Sequence, residues 1–157
     1  MTSWIPYLLF LHVMGAILAF GPTFAYSIMG AMAGREPQHA NFSARQTEAI
    51  GNKLVYPMAI FQGITGVLLI LATSIDLRAA TWLGIGIVLY AVALTYGLTV
   101  QRNALLHLIE LSSTPPAPGT APSPEIPATV KKVQRGGMLL GVLIVVIVFL
   151  MVVKPTF

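Results

Sequence analysis

The chain has 157 residues, of which 56% are hydrophobic and only 9% charged, whereas an ordinary water-soluble domain carries about 25% charged residues. That balance excludes a soluble globular domain and identifies an integral membrane protein. The net charge of +4 does not point to nucleic acid, because the basic residues flank apolar runs, where they set topology; the absence of cysteine removes disulfides, thiolate metal sites, covalent haem attachment and cysteine nucleophiles.

Four apolar runs reach the roughly 20 residues needed to cross a hydrocarbon core. The first runs from Trp4 to Ala33. It lacks a basic amino-terminal flank and exceeds the usual 7 to 15 apolar residues of a cleaved signal peptide, so it is expected to stay in the mature protein. Ser3 is placed to cap it and Pro6 to occupy its first turn. Gly21-Pro22 falls inside it and should bend it, since proline removes a hydrogen bond and crowds the preceding turn. A polar loop with Arg35, His39, Arg45 and Lys53 follows; His39, beside Pro37, Gln38 and Asn41, reads as solvated.

The second span covers Leu54 to Ile75, with Pro57 in its first turn. Asp76-Leu77-Arg78 is so short that the second and third spans must be antiparallel neighbours. The third span runs from Ala79 to Gln101 and continues as the helix RNALLHLIEL to Leu111, whose alternation of apolar and polar residues suits an extension near the headgroups. Six prolines, at positions 115, 116, 118, 122, 124 and 127, mark residues 112–128 as an extended linker. The last span is Gly136 to Val153.

The fold class expected is therefore all-α, a four-transmembrane-helix antiparallel bundle forming one integral domain over 1–157, with helices at about 4–33, 54–75, 79–111 and 136–153. Arg35, Arg45, Lys53, Arg102, Lys131, Lys132 and Arg135 fall on one side, against Arg78 and Lys154 on the other. Seven against two puts both long connections in the cytoplasm and both termini outside.

Small residues mark the packing faces, because they let helices approach closely in lipid. On the first helix His12, Gly15, Ala16, Ala19, Thr23, Tyr26, Ser27 and Gly30 share a face; Ala59, Gln62, Gly63 and Gly66 do so on the second, and Gly86, Tyr90, Ala93 and Gly97 on the third. His12 sits on that seam, roughly 12 Å from the outer end of its helix at about 1.5 Å per residue. The antiparallel pattern brings Thr65, Gly66, Tyr90 and Val145 or Val146 to the same level.

An ionisable side chain at membrane depth is a functional-site candidate. Two readings of His12 compete. In one, a neutral imidazole bonded to Tyr90 or Thr65 fixes the packing. In the other, His12 is the axial ligand of a haem b, with Tyr90 nearby and Arg78 as the charged partner of outward-pointing propionates. His107 lies about 30 Å away, the thickness of the hydrocarbon core, so the two cannot share an iron. Every acidic residue falls in a loop or extension, which argues against a proton-coupled carrier. HExxH, GxSxG and phosphate-loop patterns are absent, which removes hydrolase and nucleotide-dependent readings.

The segments YLLFLHVMGAILAFGPTFAYSIMG and LVYPMAIFQGITGVLLI resemble a bacterial family of predicted integral membrane proteins carrying a domain of unknown function. The likeness runs from about Tyr7 to His107 and rests on an early Leu-His-Val-x-Gly-Ala and on a proline ahead of Gln-x-x-Thr-Gly-x-Leu-Leu. It implies four helices in a bacterial inner membrane and no assigned activity. More distantly, the Leu-His-Val context is similar to the first helix of HemJ-type protoporphyrinogen oxidases and of copper-resistance membrane proteins. From these only His12 carries over; the basic residue that the oxidases hold ahead of their histidine has no counterpart in positions 1–11.

Three functions follow. The favoured one is a non-catalytic subunit or assembly partner of a larger membrane complex, whose partners are the bilayer and other membrane subunits or further copies of itself. The others are a haem b-binding redox or sensor protein using His12, and a haem-pathway or copper-related enzyme or carrier.

Overall fold

A computed structural model describes residues 4–113 and 123–156, and all its regular elements are helical. Ser3 and the prolines at 115, 116, 118 and 122 lie outside the described residues. The elements are α1 (Ile5–Arg35), α2 (Ala40–Ile50), α3 (Tyr56–Thr73), α4 (Thr81–Tyr96), α5 (Arg102–Leu111) and α6 (Glu125–Val153). A π-helical turn, Gly51–Val55, fuses α2 to α3, and a second, Gly97–Gln101, fuses α4 to α5. Four rods result, Ile5–Arg35, Pro37–Thr73, Thr81–Leu111 and Glu125–Val153, each long and apolar enough to cross a membrane.

Two boundaries differ from those expected. The polar segment ahead of Leu54 is helical, because Asn41, Ala44 and Glu48 turn one face to the bundle and Ala44 is buried there. The last helix begins at Glu125 and not at Gly136, so residues 125–128 of the expected linker are helical. Pro127 is tolerated there because a first-turn amide has no intrahelical acceptor to lose. Pro22 lies inside α1, which remains one continuous helix.

Lipid explains the surface. Within each rod's most apolar window only 17–22% of the residues are buried in the chain. Tyr7, Leu71 and Val152 are 73%, 69% and 74% exposed, a distribution stable only where acyl chains replace water. The buried positions are small or medium: Gly15 and Ala19 on α1, Ala59 and Thr65 on α3, Gly86 on α4, Gly136 and Ile144 on α6. Ser27 and Gly30, expected on the seam, are exposed instead. The α1–α3 and α4–α6 pairings are the most extensive between membrane spans.

The rods outrun the bilayer at one end. The 37 residues of Pro37–Thr73 extend about 55 Å at about 1.5 Å each, against a core of about 30 Å. The excess forms a small helical extension from α2, α5 and the start of α6. Ala104 and Leu105 are buried in it, and the Asn41 amide donates to the Ile109 carbonyl at 2.9 Å and to the Ser112 hydroxyl at 3.0 Å. The helix RNALLHLIEL thus continues the third rod and packs on α2 and α6. At the other end Ser74 and Lys154 close α3 and α6 in left-handed conformation, and the Lys154 ammonium sits 5.6 Å from the Trp82 ring.

A Cβ added to Gly136 would fall on the Gln101 carboxamide, itself held by the Val133 carbonyl at 3.0 Å, and 2.8 Å from the Tyr96 hydroxyl. Gly136→Val should cost roughly 1–3 kcal/mol in detergent unfolding, while Gly141→Val, whose Cβ meets nothing within 4 Å, should stay close to wild type. Equal effects at both positions would refute the close approach of α6 to the Tyr96–Gln101 wall.

Candidate functional site

The polar centre of the bundle is His12. It stands between Leu8 and Gly15 on the face of α1 that meets α3, and α3 answers with Gln62 and Thr65, three residues apart and both buried. The Gln62 carboxamide nitrogen is 3.0 Å from His12 Nε2, and the Thr65 hydroxyl is 3.0 Å from His12 Nδ1. The same hydroxyl lies 3.0 Å from the carbonyls of Phe61 and Gln62.

Counting protons orders this network. Thr65 has one hydroxyl proton, which it donates back to its own helix, as buried threonines do. His12 Nδ1–H therefore donates to the Thr65 oxygen, and Nε2 accepts from the Gln62 N–H. The imidazole is neutral and both ring nitrogens are engaged.

Glycines make the contact possible. A Cβ on Gly66 would sit 3.1 Å from His12 Cε1, and one on Gly15 would sit 2.9 Å from Gln62 Oε1 and 3.2 Å from the Phe61 ring. The ring of His12 is thus laid on the backbone of α3. Gln62 Oε1 lies against α1 without a hydrogen-bond partner among the described residues.

Among the described residues no hydrogen bond joins His12, Tyr90 and Arg78, the residues expected to form a cofactor site. Tyr90 lies against Gly63, 2.8 Å from the position of an added Cβ, and its hydroxyl donates to the Ala59 carbonyl. It thus touches α3 without any hydrogen bond to His12 among the described residues. Arg78 is in the exposed turn, where its N–H donates to Asp76 Oδ1 at 2.9 Å. Its side chain lines a shallow groove with Thr81, Gly84, Ile85 and Val88 on α4. As arranged, His12 offers a metal no free nitrogen, and an iron on Nε2 would first have to displace Gln62. His39 is exposed beside Glu36 at 3.9 Å, and His107 lies 4.0 Å from Glu125 in the extension.

A second polar cluster surrounds the two π-helical turns. Pro57 has no N–H to give within a continuous helix, and the turn just before it lets the Tyr56 N–H bond to the Gly51 carbonyl instead. The Tyr56 ring packs on Gly51, 3.5 Å from an added Cβ, and its hydroxyl donates to the Gly97 carbonyl at 3.2 Å. That carbonyl also accepts the Arg102 N–H, which closes the second turn. The Tyr26 hydroxyl and Arg102 Nε are buried nearby without partners among the described residues. Sequence reasoning missed this cluster; Pro57 beside Gly51, inside what becomes one helix, was its only signal.

A family model described as "Predicted integral membrane protein (DUF2269)" matches residues 6–155. No curated protein and no solved structure matches the chain.

Removing either side of the imidazole contact should loosen α1 from α3. In a double-mutant cycle of His12→Ala and Gln62→Ala, the coupling free energy should be about 0.6 kcal/mol and at most about 1.7, the range for hydrogen bonds between membrane helices. Additive effects, read from unfolding in mixed detergent, would mean that the two side chains do not stabilise each other.

Proposed function

The chain belongs to this family of integral membrane proteins of unknown function, and from that premise we propose that it acts as a non-catalytic subunit or assembly partner of a larger membrane complex. The observation carrying this reading is the surface that α1 leaves uncovered. Ser27, Gly30, Ala31 and Gly34 fall on one helical face and are exposed. Added Cβ atoms at Gly30 and Gly34 would meet nothing within 4 Å. Small residues four apart are what a second helix needs for close approach, whereas Gly15, the corresponding glycine of the internal seam, is already covered by Gln62 and Phe61.

The polar inventory agrees. His12, Gln62, Thr65 and Tyr90 each take part in a hydrogen bond between helices, which is the chemistry of a scaffold. In this reading the end bearing Arg35, Arg45, Lys53, Lys131, Lys132 and Arg135 faces the cytoplasm of a bacterial inner membrane, supported by the excess of basic residues there. The haem b reading of His12 would require Gln62 to release Nε2.

The chain has no native cysteine, so Gly30→Cys and Gly34→Cys are clean probes. Thiol cross-linking in native membranes should join these positions to another polypeptide, with Val142→Cys, exposed on α6, as the control. A purified protein that shows no cross-link and migrates as a lone species would overturn the subunit reading. A stoichiometric Soret band that disappears in His12→Ala would replace it with the haem reading.

A further inference from the structure

At the end of the bundle bearing the α2–α5 extension, α4 and α6 enclose a surface groove of about 470 Å³, lined by Tyr96, Ala128, Lys131, Lys132, Arg135, Gly136 and Leu139. Its composition changes along its length. Lys131, Lys132 and Arg135 gather three cations within five residues of one helix. Leu139, one turn further on, belongs to an apolar run that continues to Val153 without a charge. The groove therefore crosses from headgroup depth to acyl depth within about 6 Å, four residues at about 1.5 Å each.

We propose that this groove binds one acidic phospholipid, with the phosphate held by Lys131, Lys132 and Arg135 and the first part of an acyl chain laid over Gly136 and Leu139 beside Tyr96. Among the described residues no carboxylate lies within 4.0 Å of any of these three cations; the ion pairs present involve only His39 and His107. Among the described residues nothing compensates their charge, which is available to a ligand. Gly136 lets the groove form, since it is buried against the Tyr96 hydroxyl and the Gln101 carboxamide with no side chain of its own to fill the space.

The contrast with the opposite end supports a lipid. There a groove of about 410 Å³ along α4 is also lined by apolar side chains, Ile85, Val88 and Leu89, but has Arg78 as its single cation. Basic pockets between spans are the usual recognition sites for acidic headgroups, and each cation near such a surface contributes roughly fivefold to binding. Nucleic acid or an acidic peptide would use the charges but leave the Leu139 wall unexplained.

Native mass spectrometry of the full chain in mild detergent tests this with phosphatidylglycerol and phosphatidylcholine of matched acyl chains. One phosphatidylglycerol should bind in preference to phosphatidylcholine, and the preference should fall on the order of a hundredfold in Lys131→Gln/Lys132→Gln/Arg135→Gln. Arg35→Gln/Arg45→Gln/Lys53→Gln should keep it. Glycerol phosphate, which lacks acyl chains, should compete far more weakly than the intact lipid. Equal binding of the two lipids by the wild-type chain would overturn the proposal whether or not the variants fold. So would an equal loss in both triple variants, competition by glycerol phosphate at lipid-like concentrations, or an acidic peptide or oligonucleotide that displaces the bound lipid.

Discussion

Hydrocarbon supplies no hydrogen bonds, so every polar group placed in it must be satisfied by the protein. In this chain that constraint converges on one imidazole. His12 takes Gln62 on one nitrogen and Thr65 on the other, and these bonds require α1 and α3 to approach until the ring touches the backbone at Gly66. The α1–α3 seam is therefore the most extensive pairing between spans. Apolar attraction alone would not select it, since lipid tails are as apolar as leucine. The polar triplet specifies which faces meet, and the glycines allow them to.

The same rule shapes the backbone further along. Pro57 cannot donate to the preceding turn, and within a single long helix that would strand a carbonyl. The chain widens to a π-helical turn at Gly51–Val55 instead, a known adjustment around prolines in membrane helices. The widening is passed on, because Tyr56 donates to the Gly97 carbonyl, where the second widened turn begins. Two irregularities distant in sequence are thus one event in space. A side chain inserted into the hydrogen-bond ladder is a recognised cause of such local unwinding.

Much of this was legible in the sequence. Four apolar runs located the spans, and counting 1.5 Å per residue from the amino-terminal end of α1 set His12 level with Thr65 and Gly66, where the structure has it. Gln62 could be assigned to the packing face by its spacing from Ala59 and Gly66, but not to Nε2, because that contact depends on the rotation of α3 about its axis. Tyr90 was equally well placed in depth, yet its hydroxyl turns to Ala59. Helix continuity was the least visible feature. The polar residues between Glu36 and Lys53 resemble a loop, and they form a helix where α1 and α5 lie alongside and Ala44 is buried. Tertiary neighbours decided what local composition could not.

The two solvents divide the energetics of the molecule. Where α2, α5 and the start of α6 project past the bilayer, water returns, and burying Ala104 and Leu105 contributes through the ordinary hydrophobic effect at about 25 cal/mol per Å². Inside the bilayer that contribution vanishes, and close packing with internal hydrogen bonds must replace it. The glycines follow this division. Gly15, Gly63 and Gly66 lie at depth, each against a polar side chain of the facing helix, whereas Gly30 and Gly34 face open space near the end of α1. Internal cohesion of the spans accounts for the first set and leaves the second unexplained. A helix free to carry bulk at those positions gains nothing from glycine within the chain itself, so their use is to be sought in what lies beside α1 in the membrane.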